Sequence, residues 1–116
     1  MTRIRITIGE VMVTAILNDS RTAGLIAAAL PFDSPAQRWG DEVYFTIPVE
    51  TGEEDAQADV PAGTVAYWPV GKALCLFFGQ QPYSPVNIVG QIEGDPHVLA
   101  KVRDQESVRV EVHPDG

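Results

Sequence analysis

The sequence predicts a mainly β fold: a small closed barrel of short strands plugged by helices. Three observations predict it. Apolar residues recur at every second position through most of the chain. The connections between these runs are mostly short, and only two segments switch to a helical pattern. The resulting order, β-β-α-β-β-β-β-α-β, has too few helices for a parallel sheet of βαβ units. A strand-dominated chain must cover or close its sheet edges, and closure into a barrel does so.

Ile4, Ile6 and Ile8 alternate with Arg3, Arg5 and Thr7, the period of a half-buried strand. Gly9-Glu10 makes a tight turn into "VMVTAIL", completing a hairpin. In "ILNDSRTAGLIAAALP" the period changes. Asn18, Asp19 or Ser20 can cap a helix over Ser20–Leu30, with Ala23, Leu25, Ile26, Ala29 and Leu30 as its apolar positions, and Pro31 stops it. Gly24 weakens so short a helix, so tertiary packing must supply much of its stability. "AQRWGDEVYFTIPV" returns to strand, with Val43, Phe45 and Ile47 facing opposite to Tyr44 and Thr46.

"ETGEEDAQADVPAG" is polar and acidic and reads as a solvated surface loop, without the ligand ladder of a calcium site. Two strands follow, Thr64–Trp68 and Lys72–Phe78, joined by Pro69-Val70-Gly71. After the loop "QQPYSP" come a strand in "VNIVGQIEG" and one or two helical turns in "DPHVLAKV", with Pro96 in the first turn. "SVRVEV" closes the chain with Val108, Val110 and Val112 on one face. No internal repeat or low-complexity segment interrupts this order, and residues 1–116 are expected to form a single domain around one core.

The Lys72–Phe78 strand poses a question of its own. Leu74, Leu76 and Phe78 lie on one face, and Ala73, Cys75 and Phe77 on the other. Both faces are apolar, so both should be covered. The barrel interior covers one; a helix, a loop or a ligand must cover the other.

Charge limits the partners. Sixteen acidic residues against eight basic ones give a net charge of −8, with no Lys/Arg cluster to reverse it locally. That field disfavours nucleic acid and anionic membrane surfaces. The longest apolar run, "ALCLFF", is too short to span a bilayer, and "MTRIRITIGE" lacks the continuous apolar segment of a secretory signal. One cysteine allows no internal disulfide. A cytoplasmic location is expected.

"RWGDEVYFTIPV", "GTVAYWPVGKALCLFFGQQP" and "VNIVGQIEGD" together resemble the small bacterial and archaeal cyclophilin-like proteins, a family of uncharacterised function. The resemblance runs in the same order from "AAALPF" to the last strand. It implies a closed cyclophilin-like barrel of about eight mostly antiparallel strands, with a short helix capping each open end. The larger cyclophilins are peptidyl-prolyl isomerases, and their motifs can be laid on this chain. "VYFTIP" falls over the strand that carries their catalytic arginine, which puts Phe45 at that position. Glu50, Thr51 and Glu53 fall on their groove floor, Leu76 replaces a glutamine, and their groove histidine falls near Val86 or Asn87. Phe78 is kept as a groove residue. No arginine lies between Arg38 and Arg103, so a one-residue slip does not restore the guanidinium. Isomerisation works against a barrier of roughly 18–20 kcal/mol for peptide bonds in general, and a positioned donor supplies much of the catalysis. The implied catalytic set is therefore empty, and a prolyl isomerase is disfavoured.

Cys75, between two leucines, reads as a packed core thiol. His97, His113 and Cys75 have no short ligand spacing, so neither a metal nor a cofactor is expected. The chain has no Gly-rich phosphate loop, no Gly-x-Ser-x-Gly and no His-Glu-x-x-His. Lys72 has two open readings: its stem packs on Trp68 or Tyr67 with its amine in water, or it meets an anion at a groove mouth. Trp39, Tyr44, Trp68, Phe78 and Tyr83 are either core or the lining of a concave site.

The expected function is a binding module for a small metabolite or short peptide. The ligand would lie beside the Leu74–Phe78 strand, held by Phe45, Leu76 and Phe78 with polar help from Lys72 or Gln80. The alternatives are a weak or vestigial prolyl isomerase and a structural subunit of a homo- or hetero-oligomer. Nothing in the sequence separates the binder from the subunit.

Overall fold

In the computed structural model, which describes residues 1–115, Ile4, Ile6 and Ile8 are fully buried while Arg3, Arg5 and Thr7 are half-buried. That alternation makes β1 (Arg3–Ile8). Gly9 turns the chain at φ +57°, a conformation glycine adopts without strain, into β2 (Val11–Leu17). The two strands pair antiparallel from Arg3–Ile16 to Ile8–Val11.

Ser20 caps α1 (Arg21–Ala29), its Oγ accepting from the Ala23 N–H at 3.2 Å. The helix has no acidic residue in its own first turn. Glu54 of the acidic loop takes that place, accepting from the N–H groups of Arg21 (3.0 Å) and Thr22 (2.8 Å) and from the Thr22 hydroxyl (2.7 Å). Unsatisfied donors and the positive end of the helix dipole favour a carboxylate there. Those bonds hold the Glu54 carboxyl below its usual range. Thr22, Ala23 and Ile26 are buried, whereas Leu25, read from the sequence as a packed position, is 41% exposed.

The remaining strands are β3 (Phe32–Pro35), β4 (Gln37–Trp39), β5 (Glu42–Thr46), β6 (Thr64–Trp68), β7 (Ala73–Phe77), β8 (Asn87–Glu93) and β9 (Ser107–Val112). All nine belong to one sheet in the order β3-β9-β1-β2-β8-β6-β7-β5-β4. Every pairing is antiparallel. The two strands at the ends of that order, β3 and β4, are consecutive in the chain, with only Ala36 between them. Ala36 N–H donates to Glu106 O at 2.8 Å and its carbonyl accepts from Gln105 N–H at 2.7 Å. One segment, Phe32–Trp39, thus pairs with β9 through its first half and with β5 through its second, and the barrel closes through it. Counted as one strand it brings the nine to the eight expected. The strand character of its first half, Phe32–Pro35, was not foreseen, because Pro35 and polar neighbours give no apolar alternation; its second half, Gln37–Trp39, falls within the segment read as strand.

The second helix is a 3₁₀ helix, Pro96–Lys101, capped by Asp95, which accepts from the His97 N–H at 3.0 Å. β2 and β8 are antiparallel, so α1, which follows β2, and the 3₁₀ helix, which follows β8, lie at opposite barrel ends. Ala23 and Ile26 from one and Leu99 from the other enter the interior cluster with Ile4, Ile6, Phe45, Tyr67, Leu74 and Leu76. A smaller cluster, Val60, Ala66, Cys75, Phe77 and Val86, sits on the outside of β6 and β7.

The acidic loop is tied down. Asn87, 1% exposed, accepts from the Glu54 N–H at 2.8 Å and donates to Gly52 O at 3.0 Å and Thr22 Oγ1 at 3.2 Å. Gln57 and Val86 exchange backbone hydrogen bonds at 2.8 and 3.0 Å. The loop so held brings Val60 over the outer face of the sheet.

Candidate binding pocket on the outer barrel face

Strand parity decides which side chains can meet a ligand. On β5, Val43 and Phe45 point into the barrel and Glu42 and Tyr44 point out. On β7, Leu74 and Leu76 point in, as does Phe78 just beyond it, and Cys75 and Phe77 point out. The register sets Tyr44 opposite Cys75 and Glu42 opposite Phe77. Trp68, at the end of β6, joins them on the same face.

These side chains form a pocket of about 230 Å³, completed by Trp39, Pro82, Tyr83, Ser84 and Val86. The loop carrying Pro82–Ser84 is anchored by Gln81, whose amide accepts from Val60 N–H at 2.9 Å and donates to Val60 O at 3.0 Å. Trp68 Nε1 donates to Ser84 Oγ at 2.7 Å. Four rings meet edge to face: Tyr44 with Trp68 at 6.5 Å, Trp68 with Tyr83 at 6.3 Å, and Tyr83 with Trp39 at 5.9 Å. Such contacts fix the rings mutually and are worth about 0.5–1.5 kcal/mol each beyond burial.

One charged side chain lines these walls. Glu42 is 5% exposed, and its Oε1 has no hydrogen-bond partner among the described residues. Burial pushes its carboxyl up to about 7, an effect the Cys75 thiol partly offsets. The thiol is pushed well above its ordinary range, first by its own burial and then by the Glu42 charge. A thiol in that state is a poor nucleophile.

The Glu42 shift has a sign that can be measured. An unfolded carboxyl ionises near 4.5 and the folded one near 7, so the stability its protonated form provides is complete below 4.5 and is lost as pH rises through 7. At about 1.4 kcal/mol per unit the loss is about 3 kcal/mol, which water at the open pocket reduces to about 1–2 kcal/mol. Glu42→Gln is therefore expected to match the wild type near pH ~4 and to exceed it by about 1–2 kcal/mol near pH ~8 in urea denaturation. Equal stability at both pH values would mean that the carboxyl is hydrated.

The site residues expected from the sequence are placed differently. Phe45 and Leu76 are 0% exposed and Phe78 is 2% exposed, all three inside the barrel, so they line no surface groove. The register borrowed from the larger cyclophilins chose the wrong face of β5 and β7. Lys72 is a turn residue at φ +49°, its Nζ 2.6 Å from Glu50 Oε2, and both side chains are exposed. Gln80 lies at the other end of β7, half-buried beside Gly40, with its N–H 3.4 Å from Asp41 O. Neither lines the pocket. Of the aromatic inventory, Trp39, Tyr44, Trp68 and Tyr83 do line it, and Phe78 does not.

Arginine is not among the lining residues. Arg38 stacks over the Phe78 ring at 5.2 Å and spends its guanidinium on the carbonyls of Gly40, Ala100 and Val102. Among the described residues no group of three or more His, Cys, Asp or Glu is placed to hold a metal, and no helix is long and apolar enough to cross a membrane. Glu42 was missed in the sequence. Its signal was its parity with Tyr44, which sets it on the face shared with Cys75 and Phe77.

The closed antiparallel barrel with a helix at each end defines a cyclophilin-type domain. The family described as "Cyclophilin-like" matches residues 2–111, and the chain belongs to it. Among solved structures it is similar to the hypothetical protein AF2241 from Archaeoglobus fulgidus, determined in solution. The two share 41% identity over 97% of this chain and 95% of that one, with a TM-score of 0.82. The fold also matches McbB, solved in complex with tryptophan, at 21% identity and a TM-score of 0.78 over 97% of this chain. This chain spans 45% of that protein. No curated protein matches the sequence.

Proposed function

We propose that the protein binds a small, largely apolar molecule in the pocket over β5 and β7. One observation carries this reading: the outer face of those strands is apolar, the chain's own loops cover part of it, and an aromatic-walled concavity is left over the rest. The volume of about 230 Å³ favours a compact metabolite over an extended peptide, because pockets for drug-sized ligands run to about 300–1,000 Å³. A cytoplasmic setting accords with a single buried, unpaired cysteine.

The test is a ligand screen read on the indole N–H signals of Trp39 and Trp68 by NMR. Hits are expected to move both, and Tyr83→Ala is expected to weaken them roughly fivefold or more, the worth of one edge-to-face wall. Tyr83 is 78% exposed, so its removal leaves the fold intact. Hits that move neither indole would overturn the assignment of the pocket.

The rim also favours a second reading. Trp39, 41% exposed, and Tyr83 are large aromatics of the kind that anchor protein interfaces. A concentration-dependent homodimer, dissociated by Tyr83→Ala in sedimentation velocity, would identify the pocket face as a subunit contact.

A further inference from the structure

We propose that the pocket selects a small organic amine, a single ring or similar apolar body carrying a primary or secondary ammonium group, and that Glu42 receives the ammonium. The proposal rests on the pocket reading above and names the chemistry of its ligand.

One oxygen of a buried carboxyl in this pocket has no partner. Glu42 lines the pocket, and its buried Oε1 accepts no hydrogen bond among the described residues. A buried acceptor left unpaired is costly, and a ligand that donates to it recovers that cost. The ligand must therefore present an N–H or O–H at this point. Three further features select a cation among the donors. The other polar side chains that line the pocket with it include Cys75, Tyr44, Tyr83 and Ser84, and none of them supplies a positive charge. The walls include Tyr44 and Trp68, whose ring faces attract an ammonium. No lysine, arginine or histidine lines the pocket, so a carboxylate or phosphate would meet Glu42 without a counter-charge. The chain's net charge of −8 draws cations to the surface in the same sense.

Size sets the body of the ligand. An apolar cavity of about 150 Å³ takes a benzene ring. The 230 Å³ here leaves room for a short aminoalkyl arm on such a ring. The ammonium would then reach Glu42 while the ring packs between Trp68, Phe77 and Tyr83. Because burial pushes the Glu42 carboxyl up to about 7, capture of an ammonium favours the ionised form and releases a proton near neutral pH.

Three probes of one shape test this: phenethylamine, 2-phenylethanol and phenylacetate, each titrated against the full chain and followed on the Trp39 and Trp68 indole signals. Phenethylamine is expected to bind roughly tenfold tighter than 2-phenylethanol near pH ~8, the worth of one charge-assisted contact, and phenylacetate weakest of all. The amine's advantage is expected to fade as pH falls from about 8 to about 5, where Glu42 is protonated, while the alcohol's affinity stays level. Glu42→Gln is expected to bring amine and alcohol within roughly threefold of each other. Should that variant fail to fold, the wild-type pH series decides alone. Equal binding of amine and alcohol with both indoles shifted would overturn the amine and leave the pocket standing. Failure of all three probes to move either indole would overturn the pocket and the amine with it.

Discussion

Phe45→Ala is expected to lower the unfolding free energy by about 3–5 kcal/mol, seen as a large drop in denaturation midpoint. Phe45 is 0% exposed and lies opposite Leu74 in the β5–β7 register, within the interior cluster. Truncation removes the transfer free energy of a ring and leaves a cavity that a closed barrel cannot collapse around, since hydrogen-bonded strands hold the wall in place. A loss of this size is a large fraction of the about 5–15 kcal/mol that holds a domain together. The result separates two roles for the residue. A groove residue would lose ligand affinity at little cost in stability; an interior residue loses stability first. The same geometry governs Phe45→Arg, which would put a guanidinium among apolar side chains and unfold the barrel, giving no isomerase. A midpoint change worth less than about 1 kcal/mol for Phe45→Ala would overturn the interior placement.

Asn87→Leu is expected to cost about 2–3 kcal/mol, although leucine nearly matches asparagine in volume. The cost comes from hydrogen bonds. Glu54 N–H loses its acceptor, and Gly52 O and Thr22 Oγ1 lose their donor. Thr22 is fully buried, so water cannot replace what its hydroxyl loses without opening the structure. The loss also spreads along the chain. Glu54 is the residue whose carboxylate closes the first turn of α1, so a loosened loop leaves the helix N-terminus less satisfied. Hydrogen exchange should locate this: the amides of Glu54 and Gln57 and those of the first turn of α1 are expected to exchange faster in the variant, while β1 and β9 stay protected. Unchanged exchange in the loop would show that Asn87 is not its anchor.

The sequence by itself determined the positions of the long strands, the capped helix ending before Pro31, and the alternation of Tyr44 and Thr46 with Val43, Phe45 and Ile47. It also determined that both faces of β7 need cover. These are local facts: a period of two, a capping side chain and a turn residue act over a few positions and are written in neighbouring letters. Tertiary structure decided the rest. Which parity of β5 and β7 faces inward depends on the direction in which the sheet curls, and so on pairings between residues far apart in the chain. That choice put Phe45, Leu76 and Phe78 inside and left Cys75 and Phe77 for the pocket. The barrel seam at Phe32–Trp39 exists because β9 and β5 each offer an open edge, so a polar segment with a proline becomes strand by pairing and not by propensity. Glu54 caps a helix more than thirty positions away because Asn87 holds its loop there. Glu42 looks like any surface carboxylate in the sequence, and it becomes a buried acceptor only when the Pro82–Ser84 loop and the rings of Trp39 and Tyr83 close around it. Burial is a property of the assembled surface, and no pattern within one strand encodes it.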